Sequence, residues 1–198
     1  MTKLNWSRYL DKLVGWLRRP NTAPNDRLPA WVDSYSTHRE YLAEVFKIKG
    51  EIATVLEFGT GNYSTGLMIE NSEKCISIEM QSAVWYEKMV GRFSGSKNWE
   101  RHLSIGPMKW MGIDLPDTID LGFVDGHGES RPECINYLMA KGCPIIICHD
   151  TEEPGYGWDR VKHDKAYRQI VFKKHDNWTT LWTTDVTVHD HFVREKIR

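Results

Sequence analysis

From residue 52 onward, short apolar runs alternate with segments of helical spacing, and that alternation restricts the chain to repeated β-α units on a parallel sheet. Strands are predicted in IATVLEF (52–58), KCISIE (74–79), ERHLSI (100–105), IDLGFVD (119–125) and CPIIICHD (143–150). Helices are predicted between them, near 63–72, 83–94 and 130–141. The tail, QIVFKKHDNWTTLWTTDVTVH (169–189), holds two β-rich runs split by HDN, a hairpin signal. Parallel units followed by an antiparallel hairpin make the sheet mixed. No internal repeat or low-complexity segment interrupts the pattern.

Ahead of this region, residues 3–19 place Trp6, Tyr9, Leu10, Leu13, Trp16 and Leu17 at helical spacing, with Arg8, Lys12, Arg18 and Arg19 elsewhere. Such a stripe packs on its own domain or on a second copy of the chain more often than on a membrane. Three prolines make 20–29 a loop, and a helix is predicted over 37–49, capped by Ser36 or Thr37. The expected organisation is a helical extension packed on the core (1–50) and a ligand-binding domain (51–198). With 198 residues, of which 40% are hydrophobic, the chain has enough material for one substantial core. Lys and Arg number 26 against 27 Asp and Glu, so no global field draws it to nucleic acid, and no nucleic-acid partner is expected. No run approaches the roughly 20 apolar residues of a membrane span, and the N-terminus lacks the apolar core of a secretion signal. Cys75, Cys134, Cys143 and Cys148 form no CxxC pair and lie in apolar runs, which fits a reducing, cytoplasmic setting.

In open α/β sheets ligands settle where strands end and helices begin. VLEFGTGNYSTG (55–66) is such a turn: Gly59 and Gly61 permit close backbone approach, and Ser64 or Thr65 can cap the next helix. A dinucleotide loop would place glycine at position 64, and here Ser64 stands there while Glu57 precedes the first glycine. A carboxylate so placed disfavours a pyrophosphate and suits an ammonium or sulfonium group. Glu79 ends the next strand, 20 residues beyond Gly59, at the usual spacing for an acid that binds ribose hydroxyls.

The chain resembles the class I S-adenosylmethionine-dependent methyltransferases over roughly residues 52–185, on LEFGTG, ISIEM, LGFVDGHGESR and IIICHDT in that order. The resemblance implies a Rossmann-like α/β sandwich, with helices on both faces of a mostly parallel sheet and an antiparallel C-terminal hairpin. It also implies S-adenosylmethionine as cofactor, with Glu57, Gly59 and Gly61 at its amino acid part, Glu79 at its ribose, and Asp125 completing the binding set. The segment LSIGPMKWM (103–111) lacks the family's adenine-contacting acid, so Met108, Trp110 or Met111 is expected to wall the ring.

Methyl transfer needs an aligned acceptor and a group that takes its proton. Two strand ends supply candidates: Asp125, His127, Glu129 and Arg131 in FVDGHGESR, and His149, Asp150 and Thr151 in CHDT. Asp125, His127 and Asp150 are the expected catalytic residues. The small-molecule O-methyltransferases that these strand ends resemble include members holding Mg2+, which implies Asp125, Asp150 and Thr151 as ligands here, with Thr151 replacing the usual amide. Arg131 can bind an acidic acceptor or the cofactor carboxylate. The histidines of HDHF (189–192) find no third ligand and read as a solvated tail. Trp158, Tyr167, Trp178 and Trp182 suit an acceptor pocket or packing on the sheet. The expected function is O-methylation of a small-molecule or glycan hydroxyl. Aminopropyl transfer, cofactor cleavage and a non-catalytic, cofactor-binding subunit are the alternatives, and a homo-oligomer is compatible with each.

Overall fold

Seven strands form one sheet in the order β3-β2-β1-β4-β5-β7-β6, in a computed structural model that describes residues 36–195. The predicted helix at 3–19 and the loop at 20–29 lie outside the described residues. The strands are β1 (Ile52–Phe58), β2 (Ser72–Glu79), β3 (Trp99–Leu103), β4 (Leu121–Val124), β5 (Ile145–His149), β6 (Arg168–Phe172) and β7 (Thr179–Thr183). All neighbours from β3 through β5 pair in parallel, and β7 runs antiparallel between β5 and β6. The predicted hairpin is thus present, but its second strand is the inner one, so β7 alone opposes the rest of the sheet. This is the mixed, mostly parallel sheet expected of the Rossmann-like methyltransferase fold.

The helices are α1 (Arg39–Lys49), α2 (Thr65–Glu70), α3 (Ala83–Phe93), α4 (Arg131–Ala140) and α5 (Val186–Arg194). Successive strand residues point to opposite faces, so one apolar run feeds two cores. Val55, Phe123, Ile145 and Ile147 meet Tyr41, Leu42, Val45 and Phe46 of α1, Met68 of α2, Met89 of α3, and Val188 and Phe192 of α5. Leu56, Phe58, Val124, Ile146 and Cys148 meet Cys134, Ile135, Leu138 and Met139 of α4, with Trp110 and Trp182. The four cysteines are buried free thiols. No helix among the described residues is long and apolar enough to cross a membrane.

Two local expectations are corrected. The N-cap of α1 is His38, whose side chain makes no capping bond, and the Thr37 hydroxyl instead contacts Nε2 of His149 at 2.7 Å. A partner 112 residues away has outcompeted the local cap. Residues 186–189, read as the end of a β-rich run, open helix α5, because Asp185 caps it by accepting from the Val188 amide. His189 and His191 therefore lie on a helix, two residues apart and on different faces, rather than side by side on a strand.

Candidate active site

The strand order reverses between β1 and β4, and the candidate site is built from the loops at their carboxyl ends and at those of β2 and β5. Gly59 has φ +95°, and a Cβ placed on it would stand 2.6 Å from the Asp125 carbonyl and from Cα of Gly126. Only glycine lets the β1 and β4 loops approach this closely. Two backbone bonds tie the junction: the Gly59 amide donates to Ile78 and the Asp125 amide to Phe58, both at 2.8 Å. A Cβ on Gly61 would stand 2.6 Å from Oγ of Ser64, so the second glycine also turns in confined space.

Glu57 is fully buried under this turn. Its carboxylate accepts from Ser64 (2.6 Å), from Thr65 (2.8 and 3.0 Å) and from Ser77 on β2 (2.6 Å). Ser77 in turn accepts from the Trp99 indole at 3.0 Å, and Thr65 accepts from the Gly61 amide at 2.9 Å. Burial pushes the Glu57 carboxyl up to about 7, against the opposing pull of the Ser64, Ser77 and Thr65 hydroxyls. The side chain of Ser64, at the N-cap position of α2, makes no capping bond. Its hydroxyl is committed to the buried carboxylate instead.

Glu79 bridges two loops. Oε2 accepts from the amide and hydroxyl of Thr60, in the glycine turn, and Oε1 accepts from the amides of Gln81 (2.8 Å) and Ser82 (3.1 Å). Trp85 supports the same turn through its indole, which donates to the Thr60 carbonyl at 2.8 Å. The acid at the end of β2 is thereby held against the glycine loop. Of the three side chains considered for the adenine, Trp110 is buried, edge-on to Phe58 and Tyr137, and belongs to the core. Met111 is largely exposed and Met108 half-buried at φ +61°.

The ends of β4 and β5 form an ionic cluster around Arg131, which is 4% exposed. Its guanidinium donates to the carbonyls of Gly126 and His149, to Asp125 at 3.1 Å and to Asp150 at 3.3 Å, and it lies over the Tyr156 ring at 4.7 Å. Arg131 is thus an internal strut between two loops, not a surface group receiving an acidic acceptor. His149 places Nδ1 3.4 Å from Asp125 and 3.3 Å from Asp150. Burial alone would raise the Asp125 carboxyl, but the bond to His149 and the charges of His149 and Arg131 hold it at about 2. Burial works against charge on His149 as well, yet the hydrogen bond and charge of Asp125 raise it above the ordinary imidazole value. Asp150 adopts φ +53° and also accepts from Asn177 at 2.7 Å.

Thr151 turns the other way, its hydroxyl paired with that of Thr180 at 2.7 Å. The donor set Asp125, Asp150 and Thr151 therefore does not fit Mg2+: the guanidinium of Arg131 already bridges the two carboxylates, and the third oxygen faces β7. His127 is half-buried, with Nδ1 lacking a hydrogen-bond partner among the described residues. The aromatic residues of the C-terminal region mostly pack: Trp182 is buried, the Tyr167 hydroxyl donates to Cys143, and the Trp158 indole donates to Glu153. Missed at the sequence level were Thr37, His38, Ser77 and Asn177. Ser77 carried the one usable signal, a hydroxyl inside an otherwise apolar strand, which burial obliges to find a partner.

This sheet order is that of the Rossmann-like methyltransferase fold. The O-methyltransferase TomG of Streptomyces achromogenes, involved in tomaymycin synthesis and solved in complex with SAM, is similar: 18% identity, 93% of this chain and 100% of that chain covered, TM-score 0.57. An O-methyltransferase from Bacillus cereus in complex with SAH matches at 14% identity over 88% of this chain and 97% of that one, TM-score 0.56. An rRNA methylase from Streptococcus thermophilus matches at 17% identity over 77% and 97%, TM-score 0.54. At these identities the likeness shows the fold. No protein-family model and no curated protein matches the sequence.

Proposed function

We propose that this chain is a cytoplasmic S-adenosylmethionine-dependent methyltransferase that methylates a hydroxyl of a small molecule or glycan. The observation that carries the reading is the junction at the strand-order reversal, where Gly59 is wedged against the β4 loop and Glu79 is tethered to the same turn. In this reading the glycine turn receives the amino acid part of the cofactor and Glu79 takes its ribose hydroxyls in exchange for its bonds to Thr60. Glu57 acts from beneath, fixing the turn through Ser64 and Thr65 rather than touching the ligand.

His127 is assigned the acceptor's proton, because Asp125 and Asp150 are both engaged with Arg131 whereas Nδ1 of His127 has no hydrogen-bond partner among the described residues. The two aspartates orient the loops that carry it. The near-balanced charge, 26 basic against 27 acidic residues, favours a small acceptor over a nucleic acid. The test is to supply methyl-labelled S-adenosylmethionine with a panel of hydroxylated acceptors and identify the products. S-adenosylhomocysteine together with a labelled ether supports the reading. Methylthioadenosine would replace it with aminopropyl transfer or cofactor cleavage, and no turnover of any kind would favour a non-catalytic binding subunit.

A further inference from the structure

His38 stands at the base of this site, and the proposed reaction does not use it. It is 2% exposed, and neither of its ring nitrogens has a hydrogen-bond partner among the described residues. A buried imidazole without partners forfeits the hydrogen bonds it would make in water, a cost natural proteins ordinarily avoid. Its ring lies edge-on to His149, with centroids 4.6 Å apart, and against Phe123 at 4.7 Å. One donor atom from each of His38, Asp125 and His149 lies within 4.8 Å of the other two.

The hydrogen bonds around His149 point the same way. The Thr37 hydroxyl lies 2.7 Å from Nε2 of His149 and 3.4 Å from the Asn177 carbonyl, so it can accept from Nε2 when Nδ1 carries no proton. Nδ1 faces oxygens of Asp125 and Asp150 at 3.4 and 3.3 Å and shares a proton with Asp125 in the metal-free protein. A divalent ion between the ring and the carboxylate would take the place of that proton, because metal ligation releases the protons its ligands carry. In histidine ligands of metals the second ring nitrogen donates to an oxygen that fixes the tautomer, and the Thr37 hydroxyl stands at that position. Arg131 and His149 both address Oδ1 of Asp125, so Oδ2 remains for a further bond.

We propose that His38, His149 and Asp125 form a binding site for one divalent first-row transition ion of the Zn2+ or Co2+ type. Two imidazoles and one carboxylate suit such an ion and not Mg2+, which prefers oxygen donors. The site shares Asp125 with the Asp125, Asp150 and Thr151 set but uses neither the Asp150 oxygen that Arg131 holds nor the Thr151 hydroxyl that Thr180 holds. Bonds of about 2.0–2.2 Å require the three donors to draw together slightly. Three protein ligands leave a coordination position for an acceptor oxygen. That last role rests on the proposed methyl transfer; the binding of the ion does not.

The experiment strips the full chain with a chelator and titrates it with Co2+, reading visible absorption and calorimetry. One Co2+ per chain is expected, unaffected by excess Mg2+, with two hyperfine-shifted imidazole N–H resonances in the proton NMR spectrum of the Co2+ form. His38→Gln should weaken binding at least about tenfold, whereas His102→Gln, a half-exposed histidine paired with Glu100, should leave it unchanged. Absence of a stoichiometric site, fewer than two shifted imidazoles, or an unchanged affinity in folded His38→Gln overturns the proposal. The NMR reading uses the unaltered protein, so it decides even where His38→Gln fails to fold. Titration of the metal-free protein with S-adenosylhomocysteine tests the cofactor reading separately, so either can fail alone.

Discussion

Gly59→Ala tests whether the close approach of the β1 and β4 loops is what holds the site. Alanine at φ +95° is strained by about 1–3 kcal/mol. Its methyl would also lie 2.6 Å from the backbone of Asp125 and Gly126, where ordinary contacts begin at 3.4 Å. The obstruction is main chain tied by the Asp125 amide to Phe58, so the loops themselves must part, at an overpacking cost of about 1–3 kcal/mol. The sum, about 2–6 kcal/mol, is a large share of the roughly 5–15 kcal/mol that stabilises a domain. For a chain of this size it corresponds to a fall in Tm of roughly 5–20 °C. The control is Gly91→Ala, an exposed glycine inside α3 with nothing within 4 Å of the new methyl, where alanine should be neutral or slightly stabilising. Thermal melting by circular dichroism compares the two. Gly59→Ala melting within about 1 °C of the parent would refute the argument that the junction has no room for a side chain.

The remaining predictions concern the buried charges and the proposed base. Glu57, raised from 4.5 to about 7, is favoured in its protonated form by the fold, so its contribution is complete below pH 4.5 and is lost as pH rises through about 7. The amount is about 3 kcal/mol, and it should appear as the difference between parent and Glu57→Gln in urea unfolding at pH 5 and pH 8; parallel pH profiles would contradict it. Asp125, held at about 2, contributes in the opposite sense: its stabilisation is present above 3.8 and is lost as pH falls through about 2. Arg131→Lys should destabilise by about 3–5 kcal/mol in the same assay, because a single ammonium cannot span Asp125, Asp150 and two carbonyls, and a near-neutral result would show the strut to be dispensable. His127→Ala should lower kcat by about 10²–10⁴-fold while leaving the affinity for S-adenosylhomocysteine unchanged; a matching loss in both would assign His127 to structure.

The strands were legible because each apolar run holds or meets a polar residue the loop needs: Glu57 is the penultimate residue of β1, Glu79 ends β2, and Asp125 and Asp150 directly follow β4 and β5. The glycine turn was legible for the same reason, since no other residue fits its backbone. Helix α5 was not: Val186, Thr187 and Val188 have strand propensity, and only the Asp185 cap and the burial of Val188 and Phe192 one turn apart reverse it. Trp110 resembled a ligand wall, yet Phe58 and Tyr137 surround it. By sequence Arg131 suits an acidic acceptor or the cofactor carboxylate, and burial between two aspartates makes it a strut instead. The pairing of Thr37 with His149 spans 112 residues and follows from tertiary packing alone, so it carries no local signature. The hydroxyls around Glu57 lie between these extremes: Ser64 and Thr65 were visible as capping residues, and a buried carboxylate claimed them.

The central claim is that the crevice at the strand-order reversal binds an adenosyl sulfonium cofactor against the acid at the end of β2. Calorimetric titration of the parent chain and of Glu79→Gln with S-adenosylhomocysteine tests it most directly. Saturable binding at one site per chain is predicted, weakened by about 10- to 100-fold in Glu79→Gln through loss of a charged hydrogen-bond acceptor for the ribose. No heat of binding in the parent, or equal affinity in the two proteins, would contradict it.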